Sequence, residues 1–246
     1  MAVNTAITFL SRMKIQHLFE DDEQAVARVA ILDCHLYRGV STDQFFEPDA
    51  YHQFPIRTDR RPRDATPFGQ IWFNAMFEKA HAVADIRSRS IFCASDIGIA
   101  YPYVEDGGTL INVYPLKTAK LAFQQSIDDS GDLVARLTGN IMAIVYDSSL
   151  SKLEIKEILA DPVFHTTNVT GCGAQITEFI NRLTTTHPAL TDDITRCVED
   201  AVKAASAYQI ISAGNANAIQ GSVEVMMFDA PYFYGVVNND HGDMYD

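Results

Sequence analysis

A chain of 246 residues, 47% of them hydrophobic and 21% charged, can bury one large core or two modest ones, which excludes a disordered chain. Its formal net charge of -13 argues against a protein that holds nucleic acid over a broad basic surface, although a local anion site stays open. The longest apolar runs, such as Ile141-Met-Ala-Ile-Val-Tyr146, are too short to span a bilayer. Near the N-terminus Arg12 and Lys14 follow the apolar segment instead of preceding it, which is not a secretory pattern. Cys34, Cys93, Cys172 and Cys197 show no C-x-x-C spacing and the seven histidines are dispersed. Reduced thiols, no metal site and a cytoplasmic setting are therefore expected.

Residues 1–28 read as helical, with an intermittent apolar face through Phe9, Met13, His17 and Phe19. The β-branched and aromatic run 29–40, stopping at Gly39, predicts a strand ending in a turn. A short strand near Ile56 leads into an arginine-rich loop, and Thr66-Pro67 then supplies an N-cap followed by proline at the first helical position. Ile71, Phe73, Met76, Phe77 and Ala80 recur at helical spacing and predict a helix over 68–84. Alternation over 87–95 predicts a strand, 96–103 a short helix, and 109–115 another strand. From 117 to 208 the pattern is mainly helical. Candidate helices at 117–126, 151–159, 174–184 and 191–207 are broken by Asp161-Pro162, Gly171-Cys-Gly173 and His187-Pro188. Short strands at 208–211, 222–229 and 232–237 close the chain before a polar, acidic tail.

Two features stand out chemically. The loop Pro55–Pro67 packs Arg57, Arg60, Arg61 and Arg63 into seven residues of an acidic chain. That concentration costs self-repulsion unless an anion sits among them, and the guanidinium fork matches phosphate oxygens. A solvated loop paired with the acidic remainder of the chain is the plainer alternative. Glu224 opens a strand directly after a glycine-containing loop, where a carboxylate suits a plain structural position poorly, although edge placement would also explain it.

Three stretches together resemble the ADP-ribosyltransferase-like proteins of the arginine–serine–glutamate type, and within them the bacteriophage-encoded members. They are Ile56-Arg-Thr-Asp-Arg-Arg-Pro-Arg-Asp64, Arg87-Ser-Arg-Ser-Ile-Phe-Cys-Ala-Ser-Asp96 and Ser222-Val-Glu-Val-Met-Met227. The resemblance implies NAD as substrate, with an early arginine on its diphosphate. A serine on the middle strand would support the nicotinamide ribose. The glutamate would stabilise the oxocarbenium-like centre as nicotinamide departs. On this basis Glu224, Ser90 and Arg57 are the catalytic candidates, and Arg57, Arg38, Arg60, Ser88 and Ser90 the candidates for binding NAD. Arg57 belongs to the more specific motif, whereas Leu36-Tyr-Arg-Gly-Val40 resembles the Tyr-Arg-Gly strand of many such transferases, so both arginines stay open. Ser90 is preferred over Ser88 and Ser95 because it precedes Ile91-Phe92.

Arginine-modifying members carry a second glutamate two residues before the first; here that position is Ser222. The acceptor is accordingly left as a host protein or a nucleic acid in the host cytoplasm. The alternatives are a catalytically degenerate binding or phage assembly protein on the same fold, and an RNA phosphotransferase, whose histidines have no match here. The expected architecture is α+β in one domain over 1–246. It would have split, twisted antiparallel sheets, helices 1–28 and 68–84 packed on them, and a helical insertion or lid at about 118–208.

Overall fold

The computed structural model describes residues 28–30, 32, 34–40, 52–55, 66–104, 108–125, 130–215, 219 and 224–236. The chain is α+β and divides into two compact units. The first holds the described parts of 1–56, 91–128 and 209–246, and the second those of 57–90 and 129–208.

The first unit is a sheet. Its strands are β1 (Leu36–Val40), β2 (His52–Phe54), β3 (Ile91–Ala94), β4 (Thr109–Pro115), β5 (Lys120–Phe123), β6 (Gln209–Ser212), β7 (Glu224–Phe228) and β8 (Tyr232–Val236). They join in one eight-stranded sheet in the order β2-β8-β4-β1-β3-β7-β5-β6, and every described pairing is antiparallel. Period-two alternation sends Leu36, Val40, Ile91, Cys93, Ile111, Val113, Val225 and Met227 to one face, where they form the main apolar core of this unit. The other face carries a smaller cluster of Ala94, Ala100 and Leu110, with Tyr37, Ile99 and Val104 packed against it. A one-turn helix α2 (Ile97–Ala100), capped by the Asp96 side chain on Gly98 N at 2.7 Å, and the tight turn Tyr101–Tyr103 lie over that face. Gly39 is obligatory beneath them. A Cβ there would fall 2.5 Å from the Tyr103 carbonyl carbon.

The second unit is helical: α1 (Pro67–His81), α3 (Ser130–Asp147), α4 (Lys152–Leu159), α5 (Cys172–Thr186) and α6 (Thr191–Ser206). Thr66 caps α1, its hydroxyl accepting from Gly69 N at 3.0 Å, and Pro67 follows at the first helical position. Residues 68–77 of α1 are buried without interruption, so this helix is hydrophobic nearly all round and forms the axis on which α3, α5 and α6 pack. Ser151 and Glu154 start α4 with a reciprocal capping box.

Several expectations change. The strands form one sheet rather than a split pair, because β1 and β3 pair and join the two groups. The expected helix over 117–126 is instead strand β5. Helix-forming residues such as Lys120 and Ala122 are overruled there by two neighbours, β6 and β7, that pair its backbone on both edges. The strand expected over 87–95 starts only at Ile91, since residues 84–88 form a turn with Asp85 at φ 53°. Helix α1 belongs to the helical unit with the 129–208 block. The expected helix over 1–28, apart from Arg28, and the arginine loop over 56–65 lie outside the described residues.

Candidate functional site

The register of five strands sets one row of residues across the sheet. Glu224 pairs with Ala94, Ala94 with Tyr37, Tyr37 with Asn112, and Asn112 with Gly235. Directly opposed residues in antiparallel strands share a face, so these five side-chain positions lie on the face that bears α2. Small Ala94 thus separates Glu224 from Tyr37, Tyr37 and Asn112 are direct neighbours, and small Gly235 ends the row. Strand spacing of about 4.8 Å puts the Glu224 and Tyr37 backbones roughly 10 Å apart, with a single methyl between them.

Burial and the nearby Asp96 carboxylate, with Cys34, raise the Tyr37 phenol above its ordinary value, so it is a neutral hydrogen-bond donor at physiological pH. Tyr114, two residues beyond Asn112 on the same face, is pushed up to about 12 by burial and then by Tyr37. Asn112 is only 5% exposed.

Arg38 stands one residue along from Tyr37 and therefore on the opposite face, between buried Leu36 and Val40. Its Nη1 is buried and has no hydrogen-bond partner among the described residues.

The serines of the middle motif are already engaged. Ser90 Oγ donates to the Ile86 carbonyl at 2.6 Å. Ser88 Oγ donates to the Val169 carbonyl at 3.0 Å and accepts from Gln70 Nε2 at 3.0 Å and Asn74 Nδ2 at 3.1 Å. Arg87 joins them through its backbone N, which donates to Asn74 Oδ1 at 2.8 Å, and through its guanidinium, which donates to Ser130 Oγ. Asp85 accepts from Gly171 N at 2.9 Å and Cys172 N at 3.2 Å. The stretch 85–90, with Ser88 and Ser90 buried and Asp85 and Arg87 half-buried, is thus a polar clamp within the helical unit. Of the motif, Ser95 follows β3 directly beside Ala94 and belongs to the same unit as Glu224.

The sheet therefore brings together the strands of Arg38, Ser95 and Glu224, while Ser88 and Ser90 belong to the other unit. Arg57 and Arg60 lie outside the described residues. Sequence reasoning missed Tyr37 and Asn112. The signal available was Asn112 in the otherwise apolar strand Thr109-Leu-Ile-Asn-Val-Tyr-Pro115. No group of histidine, cysteine or acidic side chains that could hold a metal occurs among the described residues, and no described helix is long and apolar enough to cross a membrane. Comparison with models of known families, with curated proteins and with solved structures finds no match.

Proposed function

We propose that the chain is an NAD-dependent mono-ADP-ribosyltransferase acting on a host macromolecule in the cytoplasm. The observation that supports the reading best is strand order. The Tyr-Arg-Gly strand β1, the middle strand β3 and the glutamate strand β7 are neighbours, although 50 or more residues separate each from the next in sequence. Arg38 is a second, chemical support: its Nη1 is buried without a hydrogen-bond partner among the described residues, and a guanidinium donates well to a diphosphate.

In this reading Arg38, with Arg57 and Arg60 of the arginine-rich loop, holds the diphosphate. Glu224 faces the reacting ribose. The bond between ribose C1′ and the nicotinamide nitrogen breaks, and nicotinamide leaves with the bonding electrons. The Glu224 carboxylate stabilises the positive charge that appears on C1′ in the transition state. An acceptor nucleophile then bonds to C1′ and gives up its proton. Ser95, which adjoins β3 in the unit that holds Glu224, takes the supporting role beside the glutamate strand.

The test is calorimetric. The full chain should bind NAD, and Arg38→Met should weaken binding by about 10- to 100-fold, the loss expected for hydrogen bonds to a charged group. Absence of NAD binding by the native chain would overturn the reading and favour a binding or assembly protein on the same fold.

A further inference from the structure

We propose that the groove between helices α1 and α5 of the helical unit binds a small zwitterion with an apolar tail, of the class of a free aliphatic α-amino acid. The inference goes beyond the transferase reading and does not rest on it.

The groove has room for such a ligand. Its volume is about 310 Å³, the lower end of the range for small-molecule sites, which suits an amino acid and not a dinucleotide. Its floor is apolar. Met76 and Ile176 are each 1% exposed, and half-buried Ile180 extends the same wall. A branched aliphatic tail laid on these three side chains leaves water without giving up a hydrogen bond.

The rim selects the head of the ligand. Half-buried Glu78 and exposed Lys79 both line the groove, and neither makes a hydrogen bond or ion pair among the described residues. Consecutive residues of a helix do not face one another, so the two opposite charges stand apart and do not neutralise each other. The third polar side chain of the groove is committed, Thr177 Oγ1 donating to the Gly173 carbonyl at 2.7 Å. Gly173, the second residue of α5, gives the carboxylate its place. A Cβ there would overlap Glu78 Oε2 and fall 3.0 Å from its carboxyl carbon. A simple amine would be opposed by Lys79 and a simple carboxylate by Glu78. A ligand that carries both signs donates from its ammonium to Glu78 and accepts from Lys79, while its tail covers the floor.

The experiment titrates the full chain with L-leucine, 3-methylbutylamine, 4-methylpentanoate and glycine, followed by calorimetry and methyl NMR. Leucine should shift the methyl resonances of Met76 and Ile176. The other three probes lack in turn the carboxylate, the ammonium and the tail, and each should bind at least about tenfold more weakly. Glu78→Gln should weaken leucine at least about tenfold and leave 4-methylpentanoate no weaker than in the native chain. Lys79→Met should weaken leucine similarly and leave 3-methylbutylamine no weaker. Tm should stay within about 2 °C in both variants, as for surface substitutions that break no partnership. Gly173→Ala, which displaces the Glu78 carboxylate without removing a charge, should also weaken leucine. No shift of the Met76 and Ile176 methyls with leucine, equal binding of leucine and either singly charged probe, or unchanged leucine affinity in Glu78→Gln and Lys79→Met would overturn the site.

Discussion

Glu224 and Tyr37 occupy the same row of the sheet, two strands apart across Ala94, whereas Arg38 falls on the other face. A carboxylate and a neutral phenol thus share one surface, and the Arg38 guanidinium belongs to the surface that carries the main core. An NAD molecule engaging both Arg38 and Glu224 must therefore pass around a sheet end, and Glu224 is the first residue of its strand.

Arg38→Met should separate binding from stability. Replacing a half-buried guanidinium, one of whose nitrogens has no partner among the described residues, by an apolar side chain of similar length should be neutral or stabilising. Tm should hold or rise while NAD affinity falls. A large drop in Tm would mean that the guanidinium is paired in solution and structural.

Gly39→Ala should cost about 1–3 kcal/mol in urea unfolding, the typical cost of overpacking a close contact. The added methyl meets the backbone of Tyr103 and Val104, at 2.5 to 2.7 Å, and backbone cannot swing aside as a flexible side chain can. Hydrogen exchange should rise first in 97–104. Unchanged protection there would show that this segment does not rest on β1.

Ser88→Ala and Ser90→Ala test whether the middle motif is structural. Ser88 is the hub for Gln70, Asn74 and the Val169 carbonyl, so its loss strands buried polar groups at about 1–3 kcal/mol. Thermal unfolding should register both changes, and the KM for NAD should stay within about twofold. Loss of activity without loss of stability in Ser90→Ala would restore that serine to the site.

Cys172 provides a pH test. Burial pushes its thiol up to about 12, and Cys197 is pushed up to about 11 by burial and Asp200. A thiol raised in the folded state contributes its full stability below the unfolded value near 9. That contribution is lost as pH rises from about 9 towards 11–12, because only the unfolded chain ionises readily there. Stability should fall through that window less steeply in a Cys172→Ala variant than in the parent. Alkylation of native Cys172 by iodoacetamide at pH 8 should be slow, and rapid alkylation would contradict its burial.

Much of this was readable from residue pattern. The strand Thr109–Pro115 and the helices at 152–159, 172–186 and 191–206 follow their hydrophobic periods and breakers, and their bounds fall within two residues of those expected. Strand β5 was not readable, because Lys120-Leu-Ala-Phe123 becomes a strand only through two partners distant in sequence. The site was less legible than the fold. A register shift of one residue exchanges Tyr37 for Arg38 beside Glu224, and composition does not specify register. Ser88 and Ser90 looked chemical in sequence because a polar clamp and a binding motif use the same residue types. The arginine loop keeps the place it had in the sequence, since residues 56–65 lie outside the described structure.

The most direct measurement is nicotinamide release from NAD by the purified chain, compared with Glu224→Gln. The expected result is turnover in the native chain and a loss of at least about 100-fold in kcat for the variant, the scale for removing one electrostatic stabiliser of the transition state, with NAD affinity and Tm little changed. Equal rates in the two proteins, or no release by the native chain under conditions where it binds NAD, would contradict the proposed function.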